Sequence, residues 1–327
     1  MRSPKVSVII PVYKVEQYIE RCARSLFEQT LDDIEYLFVD DCTPDHSIEI
    51  LKEIIKEYPE RQKQITIHRM EQNSGQAAVR KWGMLSATGE YVIHCDSDDW
   101  VGRDMYRAMY DKAKESNADM VVCDYCITDG EQKNDVYKGC QNTHREQLWN
   151  NILYGKDLWS LCNRLVLRDC CENITFPIYN MGEDMTMVCQ LMYHCRKIEY
   201  IGMPFYNYYM NNGSITKDLS ETNRVEYFKQ VCENIKVVLS FWKEKPEYSI
   251  VRKGLNNLCF HPKLYLLPLI EKNTKYYKLC NSIFPRIGYH MFFDSNLSWS
   301  SRLRSLSIEL RFYKLYHSLV KTVRKAR

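Results

Sequence analysis

The chain has 327 residues, 45% hydrophobic and 27% charged, the balance of a folded soluble protein with apolar mass for one large domain and a smaller one. A net charge of +3 argues against a nucleic-acid partner. The charge is uneven: between Arg302 and Arg327 eight Lys or Arg face one acid, Glu309, so a mildly acidic body carries a basic tail.

Lys5 to Tyr13 alternates and then turns apolar, the pattern of a buried strand. This run is too short and too β-branched for a signal peptide, and no stretch reaches the roughly 18–20 apolar residues of a spanning helix. A cytoplasmic setting is expected, with the fourteen cysteines reduced and used as small core residues. Val15, Tyr18, Ile19, Cys22, Ala23, Leu26 and Phe27 then recur at helical spacing. Ile34 to Val39 predicts a second strand, and Asp45 a cap for a helix with apolar positions Ile48, Leu51, Ile54, Ile55 and Tyr58. A third strand (Ile65 to Met70), a helix (Gly75 to Ser86) and a fourth strand (Tyr91 to Cys95) follow. Next come a helix from about Arg103 to Ser116 and a strand over Ala118 to Ile127.

That strand holds a C-x-x-C, Cys123 and Cys126. Three-residue spacing sends the two to opposite faces, so it reads as a chance pair and not a redox or zinc site. Gly130 to Gly139 is polar and is expected to be a loop. Helical patterns, the triplet Gly182-Glu183-Asp184 and two strands around Ile198 to Tyr209 complete a first domain, residues 1–217. Residues 218–327 read as a helical region rich in Tyr, Leu, Lys and Arg.

Strands alternating with helices predict an α/β fold, a mainly parallel sheet with helices on both faces. Such sheets bind ligands beyond the carboxyl ends of their strands. Acids sit at two of those ends: Asp40-Asp41 after the second strand and Asp96-Ser97-Asp98-Asp99 after the fourth. Acids at strand ends can merely solvate a turn. Several converging on one sheet edge would repel each other without a cation, which favours function. The D-x-D of Asp96 and Asp98 suits a hard divalent ion that bridges carboxylates to phosphate oxygens.

These residues resemble the family 2 glycosyltransferases with the GT-A fold. Val6-Ser7-Val8-Ile9-Ile10-Pro11-Val12-Tyr13 is similar to that family's first strand, and Ser25-Leu26-Phe27-Glu28-Gln29-Thr30 to its S-x-x-x-Q-T signature. Val39-Asp40-Asp41, Asn73-Ser74-Gly75, Ala78-Val79-Arg80 and Ala87-Thr88-Gly89-Glu90-Tyr91 resemble further pieces and lead into the D-S-D-D. Asn163-Arg164-Leu165, Glu183-Asp184 and Gly213-Ser214-Ile215-Thr216 continue the match in order. The resemblance covers residues 5 to about 216.

What it implies is a nucleotide-sugar donor, a UDP-sugar in the family's terms, with Mg²⁺ or Mn²⁺. Pro11 and Tyr13 would frame the nucleotide pocket, Asp41 would bond the uracil edge and Asp40 would support it. Asp96 would contact the donor's sugar or ribose, Asp98 would ligate the metal, and Asp184 would be the catalytic base. Arg80 could reach the donor or be a helix-surface charge; both readings stay open. Glu183 and Asp184 could also simply cap the helix that follows them.

Three departures stand out. Lys14 replaces the usual Asn, Cys42-Thr43-Pro44-Asp45-His46-Ser47 replaces G-S-x-D-x-S and lacks its Gly, and Tyr209 stands where relatives carry Arg or His. The last puts the donor phosphate contacts in doubt, with Lys14 or Lys217 as substitutes.

The expected reaction is a single inverting displacement onto an acceptor hydroxyl of a glycan or lipid-linked oligosaccharide. A nucleotidyltransferase would want a basic, Gly-rich loop near the first strand, and Pro11 to Val15 has no Gly. A non-catalytic nucleotide-sugar-binding relative would lose the metal acid or the base, and Asp98 and Asp184 are both present. If Arg302 to Arg327 is one helix, Arg304, Arg311, Lys314, Lys321 and Lys325 share an arc of about 100°. Leu306, Leu310, Tyr313, Tyr316, Leu319, Val320 and Val323 cover the rest. Such a helix would lie on an anionic membrane at the inner face of the cytoplasmic membrane, or pack on the catalytic domain.

Overall fold

The structure, a computed structural model, describes residues 3–130, 134–139, 144–210 and 220–325. Gly213 to Thr216, Lys217 and the junction between 217 and 218 lie outside the described residues. The first half forms β1 (Val6–Val12), α1 (Ile19–Phe27), β2 (Ile34–Asp40), α2 (Ser47–Glu57), β3 (Ile65–Arg69), α3 (Gln76–Ser86) and β4 (Tyr91–His94). A two-residue β5 (Trp100–Val101), α4 (Met105–Ser116), β6 (Met120–Thr128), β7 (Asn134–Tyr137), α5 (Arg145–Leu153) and β8 (Arg164–Leu167) follow. Then come α6 (Glu183–His194) and β9 (Ile198–Tyr209). The remainder is helical: α7 (Glu221–Lys243), α8 (Tyr248–Phe260), α9 (Leu267–Lys272), α10 (Tyr276–Ser282), α11 (Ile287–Phe292), α12 (Trp299–Glu309) and α13 (Tyr313–Lys325).

One sheet runs β3-β2-β1-β4-β8-β6-β9-β5, with β7 beside β6. The pairs β3·β2, β2·β1, β1·β4 and β6·β9 are parallel; β8 and β5 enter antiparallel. The period of two in β1 decides which helices go where. Val6, Val8, Ile10 and Val12 meet α1, α2 and α4 on one face, in a core with Leu26, Leu51 and Met109. Ile9 points to the other face, into a core that continues without a break through α3, α5, α6 and the C-terminal helices to Ile308 and Tyr313. Helices cover both faces, as expected.

Four expectations need correction. Gly130 to Gly139 is not all loop: β7 pairs antiparallel with β6. Val136 and Tyr137 stay 55% and 44% exposed, so no buried face marks this edge strand in the sequence. The two strands around Ile198 to Tyr209 are one, β9, whose register against β6 shifts around Asp124, where Pro204 is its partner. A proline gives the ladder no N–H, which interrupts the pattern without ending the strand. Asp45 lies one residue before the N-cap His46, although its Oδ1 still accepts from Ser47 N at 3.3 Å.

The basic tail is not one helix. α12 ends in a left-handed Arg311 (φ 63°), where Phe312 N bonds Ser307 O at 2.9 Å and Arg311 N bonds Ile308 O at 3.2 Å. These two bonds form a Schellman stop, with Arg where Gly is usual. Cys123 packs in the α1-side core and Cys126 takes the other parity of β6, and none of the thirteen described cysteines forms a disulfide.

Candidate active site

Parallel strands that end together deliver their next residues to one rim. In register Val12 faces Asp40, and Asp41 N donates to Val12 O at 3.0 Å. Asp40 is 1% exposed; its Oδ1 accepts from Thr43 N at 2.7 Å and its Oδ2 from Arg69 at 2.7 Å. Asp41 clamps the loop before α3, one carboxylate oxygen accepting from Ser74 N at 2.7 Å and the other from Gly75 N at 2.8 Å. Gly75 has φ 81°, and a Cβ there would lie 2.2 Å from the Asn180 amide, whose oxygen accepts from Ala77 N at 3.1 Å. Each carboxylate oxygen keeps a further lone pair for a ligand. The Tyr13 ring is 40% exposed at this rim with Lys14 Nζ 5.2 Å from its centroid, and Pro11 O accepts from Ser97 Oγ at 2.6 Å.

Two of the three departures from the family pattern fall on left-handed backbone: Lys14 and Cys42 both have φ 54°. Asn and Gly, the residues the pattern prefers there, adopt that conformation most cheaply. Lys14→Asn is therefore expected to stabilise the fold by about 0.5 kcal/mol, read by urea unfolding; a loss of stability would show that the Lys14 side chain matters more than its backbone.

After β4 the chain turns through Asp96 to Asp99. Asp96 Oδ1 accepts from Arg80 Nη2 at 2.8 Å and from Gln76 at 3.3 Å, and the Cys162 thiol approaches its Oδ2 at 3.4 Å. Asp98 stands half-buried at the mouth, its backbone carbonyl accepting from Arg21 at 3.0 Å. Asp99 is buried, with Tyr206 Oη donating to it at 2.5 Å and Tyr209 N at 2.7 Å. Burial, with Asp98 and Asp96 nearby, pushes the Asp99 carboxyl well above the usual range. Tyr209, the third departure, has a cation beside it after all: the Arg21 guanidinium stacks on Tyr209 at 4.5 Å and on Trp100 at 3.8 Å. Sequence reasoning missed Arg21, which looked like one polar position of an amphipathic helix.

The centre of the site is Arg80. It is 0% exposed, so the helix-surface reading is wrong. Its Nη2 pairs with Asp96, while its Nε lies 3.5 Å from Asp184 Oδ1 and 3.6 Å from Glu183 Oε1. Arg80 Nε and Nη1 and Asp184 Oδ1 have no hydrogen-bond partner among the described residues. The N-cap of α6 is Gly182, at φ 81°, and the two acids after it turn towards Arg80. Capping does not explain them.

Burial, reinforced by Asp184, raises the Glu183 carboxyl well above the usual range. Burial also raises Asp184, against the opposing pull of Arg80 and a hydrogen bond from Glu183. Burial thus disfavours the ionised form of both carboxyls, and Arg80 opposes it in both. His94, buried on β4 near Arg80, is held neutral by burial first and by that cation second. The site brings together Asp96, Arg80 and Asp184 at one point, with Asp98 on the same turn; Asp40, Asp41, Pro11 and Tyr13 line the adjoining rim.

A family model described as glycosyl transferase family 2 matches residues 7–175, more than half of the chain. The chain is 28% identical over 228 residues to the glycosyltransferase GlyA of Streptococcus pneumoniae serotype 4, covering 66% of this chain but 32% of that protein. It is 31% identical over 226 residues to EpsH of Bacillus subtilis, covering 66% of this chain and 64% of EpsH. Among solved structures, Staphylococcus aureus TarS 1–349 in complex with UDP-GlcNAc superposes with a TM-score of 0.62 at 15% identity, over 99% of this chain and 92% of that one. The architecture is therefore the GT-A fold with a C-terminal helical region.

Proposed function

Because the chain belongs to glycosyl transferase family 2, we propose that it moves a sugar from a UDP-sugar to an acceptor hydroxyl with inversion at the anomeric carbon. The observation that carries this reading is the shared guanidinium: one buried Arg80 holds the strand-mouth Asp96 and the α6 acid Asp184 together. In this scheme Asp184 accepts the acceptor's hydroxyl proton, the new O–C bond forms, and the bond from the anomeric carbon to the phosphate oxygen breaks. UDP leaves with that electron pair. The TarS complex holds UDP-GlcNAc on a similar fold, which supports a nucleotide-sugar donor here. The acceptor would be a hydroxyl of a glycan or lipid-linked oligosaccharide.

No three His, Cys, Asp or Glu among the described residues converge to hold a metal alone. Mg²⁺ and Mn²⁺ at phosphate sites need fewer protein ligands, one or two carboxylates with the substrate's phosphates completing the shell. Asp98 fits that donor set as a half-buried carboxylate on the turn after β4, two residues from Asp96. When bound, such an ion supplies charge neutralisation at the leaving phosphate.

The test is thermal stabilisation. UDP is expected to raise the melting temperature only with Mn²⁺ or Mg²⁺ present, and Asp98→Ala should abolish that shift while leaving the ligand-free melt unchanged. Equal UDP shifts with and without EDTA would remove the metal from the scheme. A larger shift with GDP, CDP or dTDP would remove uracil from it.

A further inference from the structure

We propose that α12 and α13 form a docking surface for an anionic lipid bilayer. On α13 the face around Tyr313 is tied down: its hydroxyl lies 3.5 Å from Glu271, and His317 Nε2 lies 3.4 Å from the same carboxylate. Next to that face runs an apolar stripe in water. Phe312, Leu315, Leu319 and Val323 are 41%, 63%, 59% and 56% exposed, at helical spacings of three and four. α12 adds a second stripe, with Trp299 65%, Leu303 44% and Leu310 49% exposed. Tyr316 Oη donates to Ser300 O at 3.1 Å, which brings the start of the α12 stripe against α13. Seven large apolar side chains in water on two neighbouring helices mark an interaction site.

Charge identifies the occupant. Arg311, Lys314 and Lys321 are exposed on and between the same two helices, and the Arg302 guanidinium stacks 4.1 Å from the Trp299 ring centroid. The acid of this region, Glu309, is turned inward, accepting from Arg286 N and Gly288 N at 3.0 Å each. Exposed apolar side chains on helices that also carry exposed Lys and Arg, with a Trp under an Arg among them, suit the headgroup boundary of an anionic membrane. A second copy is a poor occupant, because a two-fold contact would bring two copies of the same basic patch together. Among the described residues no helix is long and apolar enough to cross a membrane, so the attachment is to its surface.

The experiment is flotation of the full chain with phosphatidylcholine vesicles, with and without phosphatidylglycerol, and it needs no turnover. Binding to the anionic vesicles is expected at low salt, with release at high salt. Two variants, Leu315→Ser with Leu319→Ser, and Arg311→Gln with Lys314→Gln and Lys321→Gln, should each bind at least about tenfold more weakly while melting like the parent. All of these side chains are exposed, so each variant is expected to fold. No binding by the parent at low salt, equal binding by parent and variants, or equal binding to neutral vesicles would overturn the proposal. A dimer in analytical ultracentrifugation that the leucine variant loses would instead give the face to a second copy, and overturn it too.

Discussion

Asp184→Asn is expected to lower turnover at least about a hundredfold, the usual loss on removing a general base, while UDP with Mn²⁺ stabilises the variant as it does the parent. Asp184 Oδ1 is buried beside Arg80 Nε with no hydrogen-bond partner among the described residues, while the side chain as a whole is 29% exposed, which leaves the rest of the carboxylate open to an incoming hydroxyl. Near-normal turnover in the Asn variant would reduce Asp184 to a charge partner of Arg80. The pH profile adds an independent reading. A base works ionised, so activity falls as pH drops through its pKa, and burial has raised that pKa. The acid limb should therefore lie above the ordinary Asp value of about 3.9. Glu183→Gln can still donate to Asp184 and should leave the limb nearly in place, whereas Glu183→Ala removes a hydrogen bond that favours the anion and should move it up. Product NMR should show the anomeric configuration opposite to the donor's; retention would refute the single displacement.

Much of this site could be read from the chain because parallel strands and their acids are local signals. Val6 to Val12 and Ile34 to Asp40 announce themselves by buried, β-branched runs, and the residues that follow must appear at one rim. What stayed hidden depends on contacts across the chain. Arg80 sits on a helix with apolar neighbours, and its partners lie 16 and 104 positions away, so no periodicity distinguishes a buried hub from a surface charge. Arg21 was passed over for the same reason, since its stacking partner Trp100 belongs to a two-residue strand. The break at Arg311 was illegible because nothing but a positive φ marks it, on a residue that rarely takes one. Lys14 and Cys42 show the reverse: their conflict with the family pattern was visible, and its cause, left-handed backbone, was not.

Arg80→Met should be the most damaging single change, because it keeps the volume and removes the cation from three acids at once. Breaking a buried ion pair by deleting one partner costs about 3–5 kcal/mol. The lower end, about 3 kcal/mol, is expected here because Asp96 and Asp184 keep 26% and 29% of their side chains in water. Urea unfolding reads this directly. Arg80→Lys should recover only part of the loss, since an ammonium is a point charge and cannot span Asp96 and Asp184 as the planar guanidinium does. A scaffold role alone would lower stability and leave the pH profile of the surviving enzyme in place. The geometry calls for more: without the cation, Asp184 loses the neighbour that favours its ionised form, so the acid limb of Arg80→Met should move to higher pH, and that of Arg80→Lys by less. Adding Asp96→Asn to Arg80→Met removes one of the acids left unpaired and should regain stability without regaining turnover. Wild-type stability and an unmoved acid limb in Arg80→Met would show that Asp96 and Asp184 hold their positions without it.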